Sequence, residues 1–248
     1  MNEELHLSIV IPAYNEQDRL PATLERLANF LAQQSYSAEV IVVDDGSTDA
    51  TREVVKTAME RYPFLGLICA PHRGKGHTVR QGMLAARGRY VIFCDADLSM
   101  PPELINAFPH ALEDQAQVAI ATREGVGSRR IGEPGYRHVM GRVFNLIVQL
   151  LAVRGFRDTQ CGFKGFTRES ARAIFTRQKI DGFGFDVEVL YLARKLGYRV
   201  VEIPIDWYYQ PSSRVDPLRD TMRMFRDVLQ VRWNDLMGRY GSDDAVRD

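Results

Sequence analysis

The chain lacks most of the features that would place it quickly. Its 248 residues hold only three cysteines, Cys69, Cys94 and Cys161, too few and too scattered for a disulfide framework or a zinc site. Cys69 and Cys94 fall in apolar runs, where cysteine acts as a small hydrophobe, so a reducing, cytoplasmic setting is expected. Neither sign of charge is in excess: 32 Lys+Arg balance 32 Asp+Glu, which argues against a general nucleic-acid binder. The opening Met1-Asn2-Glu3-Glu4-Leu5-His6 has no basic stretch leading into an apolar one, so no signal peptide is read there. Long hydrophobic runs are missing too. The longest apolar stretch, Val143 to Val153, is interrupted by Asn145 and Gln149 and is too short to span a bilayer. No internal repeat, low-complexity segment or linker is visible, and the length suits one domain with its own core.

What is present is a run of short apolar strands alternating with helical periodicity. Leu7–Ile11, halted by Pro12, Val40–Val43, Leu65–Ala70 and Tyr90–Cys94 read as buried strands. Helices are expected over Leu20–Leu31, from Asp49 to about Tyr62 with Thr48 or Asp49 as cap, and over His77–Ala86. That alternation predicts a doubly wound, mostly parallel sheet with helices on both faces. Beyond Pro101 the pattern loosens. A strand is read at Val118–Ala121, a Gly/Arg-rich loop at Gly125–Gly135, a helix over Tyr136–Val153 and another over Val187–Leu196. A strand at Arg199–Ile203 and a helix over Met222–Met237 complete the reading.

Ligands of such sheets gather at the carboxyl ends of the strands, and four of those ends carry chemistry. Asp95-Ala96-Asp97 follows the fourth strand. Two carboxylates one residue apart raise each other's pKa unless a cation lies between them, so the pair reads as a hard-metal site for a phosphorylated substrate or, alternatively, as a solvated turn. Asp44-Asp45 follows the second strand and can accept from ribose hydroxyls or a base amide, while Ser47 to Asp49 cap the next helix. Gly74-Lys75-Gly76 is a weak phosphate-loop candidate, equally a plain turn. Between Arg123 and Arg142 five arginines face only Glu124 and Glu133, a local basic patch suited to one specific anion.

Taken together, Ile9-Val-Ile-Pro-Ala-Tyr-Asn-Glu16, Val42-Val-Asp-Asp-Gly-Ser-Thr-Asp49 and Asp95-Ala-Asp97 resemble the inverting family 2 glycosyltransferases of the GT-A fold. Arg157-Asp-Thr-Gln-Cys-Gly-Phe-Lys-Gly-Phe-Thr-Arg168 and Phe185-Asp-Val-Glu-Val-Leu190 resemble the polyprenyl-phosphate branch, most of all the dolichyl-phosphate β-glucosyltransferases, with the dolichyl-phosphate mannose synthases as cousins. The likeness runs from about Leu7 to Trp233. It implies one GT-A domain over residues 1–240, with a nucleotide-sugar half to about residue 100, an acceptor half after it, and a tail at 241–248.

Carried onto this sequence, the resemblance gives Pro12, Tyr14, Glu16, Asp44 and Asp45 to the nucleotide, and Lys75 and Gly76 to the donor's vicinity. Asp95 and Asp97 would bind Mg2+ or Mn2+ on the diphosphate. Arg123, in Ala-Thr-Arg where relatives usually read Gly-Ser-Arg, and Arg137 would hold the acceptor phosphate. Ser213-Arg214 would close over the donor diphosphate, with Arg214 stabilising the leaving group. Asp186 is the candidate general base, with Glu188 next. Gln160 is either a donor or metal-shell contact or a loop-satisfying polar residue, and Trp207, Tyr208 and Tyr209 either line a sugar pocket or pack as core.

The expected reaction is transfer of a hexose, glucose from UDP-glucose favoured, onto a polyprenyl phosphate. Mannose from GDP-mannose, a soluble acceptor, and a nucleotide-sugar-binding protein without turnover are the alternatives; intact Asp95, Asp97, Arg123 and Arg214 argue against the last. No nucleic-acid partner is expected. A lipid acceptor would be met at the cytoplasmic membrane face, through the 136–153 or 222–237 helix if their apolar faces do not pack inward.

Overall fold

Strict side-chain alternation along the strands decides the layering. In β1 (Leu7–Ala13) Leu7, Ile9 and Ile11 join one apolar cluster and Val10 the other, because successive residues of a strand point to opposite faces. β2 (Ala38–Asp44) divides the same way, Val40 and Val42 against Ile41 and Val43. Both faces of the sheet are therefore buried, as parallel strands require. The computed structural model describes residues 5–114, 116–209 and 217–241.

Seven strands form the main sheet in the order β3-β2-β1-β4-β7-β5-β8. The new members are β3 (Leu65–Cys69), β4 (Tyr90–Cys94), β5 (Val118–Thr122), β7 (Phe163–Thr167) and β8 (Val200–Pro204). Only β7 runs against the rest, antiparallel to both β4 and β5. A two-stranded parallel ribbon joins β6 (Arg129–Ile131) to β9 (Asp206–Tyr208). One face is covered by α1 (Leu20–Leu31), α2 (Thr51–Arg61) and α4 (Ala107–Glu113) through Leu20, Leu24, Leu27, Val55 and Phe108. The other is covered by α3 (Lys75–Ala85), α5 (Gly135–Leu151), α6 (Arg168–Arg177), α7 (Phe185–Lys195) and α8 (Pro217–Leu236).

Several boundaries differ from expectation for physical reasons. Pro12 does not halt β1; it pairs with Val43 on one side, while the ladder to β4 has already ended at Val10, so a missing donor is tolerated there. α2 starts at Thr51, two residues late, with Asp49 Oδ1 accepting from the Thr51 N–H at 3.0 Å. α3 starts early, at Lys75, because Gly74 at φ +120° turns the chain into it. The Gly/Arg-rich segment contains β6, and β7 lay unread inside the Arg157–Arg168 motif, where Lys164 and Gly165 break the apolar run of a strand. No helix among the described residues is long and apolar enough to cross a membrane.

Candidate active site

The parallel strands end on one edge, and β7, running the other way, begins there: Cys94 pairs with Phe163. Residues that follow β3, β4 and β5 and those before β7 therefore meet at a cleft of about 330 Å³. Lys75, Asp95, Asp97, Gln160 and Asp186 line it, together with a basic wall of Arg123, Arg130, Arg137 and Arg157 with Trp207 and Tyr209. The acidic pair and the arginines, a long way apart in sequence, thus face one space.

Asp97 accepts from the Ser99 N–H at 3.2 Å and the Ser99 hydroxyl at 2.7 Å. Burial and the neighbouring Asp95 charge push its pKa above the ordinary carboxylate range. Asp95 Oδ1 is 2.5 Å from Lys75 Nζ. Burial alone would lower the Lys75 pKa, but Asp95, Asp186 and Asp97 outweigh it and raise it above the ordinary lysine value. Gly162 presses on the same carboxylate: a Cβ there would overlap Asp95 Oδ2 and reach Oδ1 at 2.8 Å. Two part-exposed carboxylates drawing in an ammonium group, one of them cradled by a glycine, fit a hard divalent cation. Among the described residues no group of three or more His, Cys, Asp or Glu side chains is placed to hold a metal, so the remaining ligands would be substrate oxygens or water.

The second strand end is occupied by its own turn. Asp44, fully buried, accepts from Arg52 Nε at 2.6 Å and from the Ser47 N–H at 3.1 Å. Asp45 accepts from the Arg73 and Gly74 N–H groups, each at 3.0 Å, and meets His72 Nδ1 at 2.9 Å. Asp45 thereby ties the 72–74 loop to the strand, while Asp44 holds its own turn and the start of α2. His72 in turn stacks under Tyr14, ring centroids 4.2 Å apart, to leave a half-exposed aromatic platform beside β1. Glu16 pairs with Arg19 at 2.5 Å. The glycines around Lys75 are accounted for by packing: a Cβ on Gly76 would lie 2.5 Å from the Ile180 carbonyl and 2.7 Å from Phe185 Cβ.

On the basic wall most arginines already hold carboxylates. Arg123 donates from Nε and Nη2 to Asp158 at 2.7 and 2.9 Å. Though burial opposes it, this cation holds the Asp158 carboxyl down at about 2. Trp207 lies beside both Arg123 and Arg130, 5.2 and 5.9 Å from ring centroid to guanidinium carbon. Arg130 pairs with Glu124 and Glu133, Arg142 with Glu124, and Arg129 with Asp206. Arg137 differs. It lies over Tyr209 at 5.4 Å, and among the described residues it has no carboxylate partner and its buried Nε no acceptor.

Asp186, the candidate base, forms a buried ion pair with Lys164, whose Nζ also donates to the Cys161 carbonyl at 2.7 Å. Glu188 is not at the cleft. It accepts from the Lys179 and Ile180 N–H groups and from the Tyr240 hydroxyl, and burial pushes its pKa up. Gln160 is in the cleft, its Nε2 3.8 Å from the Met224 sulfur. Ser213 and Arg214 lie outside the described residues. Asp158 and Lys164, each holding a cleft residue, went unassigned in the sequence; both stand inside the Arg157–Arg168 motif, but their partners are distant in the chain.

The model of glycosyl transferase family 2 matches residues 8–175. A dolichyl-phosphate beta-glucosyltransferase from Drosophila melanogaster is 38% identical, the match covering 95% of this chain and 77% of that protein. Proteins of the same name from Dictyostelium discoideum and Homo sapiens are 36% and 32% identical, over 95% and 94% of this chain and 76% and 77% of theirs. Among solved structures, glucosyl-3-phosphoglycerate synthase from Mycobacterium tuberculosis, in complex with Mn2+, UDP and phosphoglyceric acid, superposes with a TM-score of 0.69 at 19% identity. That match covers 97% of this chain and 80% of the other, and it shows the shared fold.

Proposed function

The chain belongs to glycosyl transferase family 2, and from that premise we propose that it moves glucose from UDP-glucose onto dolichyl phosphate or a similar polyprenyl phosphate, with inversion at the anomeric carbon. One observation carries the reading: a single cleft is lined both by the Asp95/Asp97 pair and by an arginine wall on which Arg137 Nε is buried with no partner among the described residues. A nucleoside diphosphate suits the acidic pair once a cation is shared with it, and a phosphate suits the arginines.

A phosphate oxygen of the acceptor attacks the anomeric carbon as the bond from that carbon to the diphosphate breaks, and the electron pair leaves on the UDP. The acceptor is already an anion near neutral pH, its second pKa being about 6, so it needs orienting more than deprotonation. That suits a site where Asp186 is bound to Lys164 and Glu188 is turned to the 179–180 backbone. Mg2+ or Mn2+ on Asp95 and Asp97, the metals found with UDP in the solved neighbours, would neutralise charge on the departing diphosphate. Lys75, which touches Asp95, would hold the acidic pair in position. Tyr14 and His72 offer the base a stacking surface, and Pro12 shapes the strand end beneath it.

Membrane contact belongs to the same reading. Val139, Val143, Leu146 and Leu150 stand exposed along α5, whose first turn carries Arg137, and Leu229, Trp233 and Leu236 stand exposed on α8. A lipid acceptor delivered along these faces would reach the cleft phosphate-first.

The test is transfer of labelled glucose to a short-chain prenyl phosphate with Mn2+ present. UDP-glucose should outperform GDP-mannose, and Asp97→Ala should lower turnover at least about a hundredfold. A preference for GDP-mannose would overturn the donor assignment; a preference for a soluble phosphomonoester would overturn the lipid acceptor.

A further inference from the structure

Arg157 is a further arginine of the cleft. It lies just before the buried Asp158, and its backbone is fastened on both sides. Its N–H donates to Glu202 Oε1 at 2.8 Å, and its carbonyl accepts from Asn145 Nδ2 at 2.9 Å. Asn145 also receives the Thr159 hydroxyl at 2.9 Å, so this short segment is pinned between α5 and β8. The side chain has a place prepared for it. Gly125, at φ +97°, lies directly under the guanidinium: a Cβ there would overlap Nη1 and come within 3.3 Å of Cδ and Cζ. Arg157 lines the cleft, and among the described residues its guanidinium pairs with no carboxylate.

Arg123 presents the opposite case. A two-point grip by the Nε/Nη2 edge of Arg123 would have to displace Asp158; with Asp158 in place only Nη1 and the second Nη2 hydrogen are left for a phosphate. Displacement would leave Asp158, only 5% exposed, as an unpaired buried charge. A phosphate therefore draws first on guanidinium groups that are near the cleft and not already bound.

Resting on the acceptor reading above, we infer that the acceptor phosphate is received by Arg157 together with Arg137, and that Arg123, bound to Asp158 and stacked on Trp207, forms the wall behind them. Arg157 is then a substrate-binding residue for a phosphomonoester headgroup. Gly125 matters because it leaves the guanidinium room. Arg137 approaches from the first turn of α5 and Arg157 from the loop before β7, so the phosphate is held between two elements and turned towards the donor.

The experiment is steady-state kinetics with UDP-glucose, Mn2+ and a short-chain prenyl phosphate, on Arg157→Ala, Arg157→Lys and Gly125→Ala. Arg157→Ala should raise the acceptor KM by about ten- to a hundredfold, the range for losing a charge-assisted hydrogen bond, with a smaller change in kcat. UDP affinity in the presence of Mn2+, read by titration calorimetry, should stay within twofold. Arg157→Lys should recover part of the loss, since it returns the charge without the fork. Gly125→Ala should raise the acceptor KM in the wild type but add nothing to Arg157→Ala, a coupling that indifferent loop damage would not produce. An acceptor KM left within twofold by Arg157→Ala, in an enzyme that does glucosylate prenyl phosphate, overturns this assignment and leaves the proposed function standing. A wild type that accepts no prenyl phosphate, or accepts the prenyl alcohol equally well, overturns the proposed function and this assignment with it.

Discussion

At the residue scale the basic wall depends on Asp158, which accepts from the Arg123 side chain at two points and from the Arg123 N–H at 3.1 Å. A buried pair with this geometry is costly to break from one side, because the survivor is left charged without a partner. Asp158→Asn should therefore lower stability to urea at neutral pH by about 3 kcal/mol. The pair also fixes a pH window. Asp158 is held at about 2, below its ordinary 3.8. Its contribution is complete above pH 4 or so and is lost as the pH falls towards 2. Across that interval the stability of Asp158→Asn should change less steeply than that of the wild type; parallel slopes would remove Asp158 from the account. The arginine surplus between Arg123 and Arg142 was visible in the sequence, where it suggested a site for one anion. That all but Arg137 of these five would have carboxylate partners was not. Asp158 and Asp206 lie outside the window, and a local charge count cannot see partners brought in by folding.

At the element scale, the strand ends were the most readable part of the chain, because short apolar runs with acidic or glycine-rich tails mark a parallel sheet almost by themselves. β4 was read with its observed bounds, as was α1. β7 was not, since an antiparallel strand carrying a buried lysine and a glycine has no such signature. Its misreading hid the contact that shapes the acidic pair, for Gly162 reaches Asp95 only because β7 enters the sheet beside β4. Gly162→Ala should push the Asp95 carboxylate aside. Mn2+ affinity in the presence of UDP, followed by electron paramagnetic resonance, is expected to fall at least about tenfold, with sugar transfer lost in step; retained metal affinity would refute the cradle. α5 makes a separate prediction. Leu146 is 57% exposed, so Leu146→Glu should alter stability by no more than about 0.5 kcal/mol. It should reduce co-sedimentation with anionic vesicles while leaving transfer to a short, soluble prenyl phosphate unchanged. Undiminished vesicle binding would turn that helix face over to some other role.

At the scale of the whole molecule, the proposed donor and acceptor halves would share one sheet. β1, β2 and β3 form the side proposed for the nucleotide, while β5 and β8 lead to the basic wall, with β4 and β7 hydrogen-bonded between them. Each apolar layer crosses the same divide: one runs from Val10 and Val43 to Phe166 and Val228, the other from Leu7 and Val40 to Ala119 and Ile205. Neither half can lose its helices without exposing the other's core, so unfolding should be a single cooperative calorimetric transition. A nucleotide sugar seated at the strand edge then stabilises the entire chain, because it binds only where both halves are folded. At a hundredfold excess over its Kd, UDP-glucose with Mn2+ should add about 2.7 kcal/mol, a rise in Tm of about 5–10 °C for a chain of this size. The shift should shrink without metal, and GDP-mannose should give less of it. Two resolved transitions, with only the lower one moved by UDP-glucose, would show that the nucleotide side folds by itself and that the cleft lies between independent units.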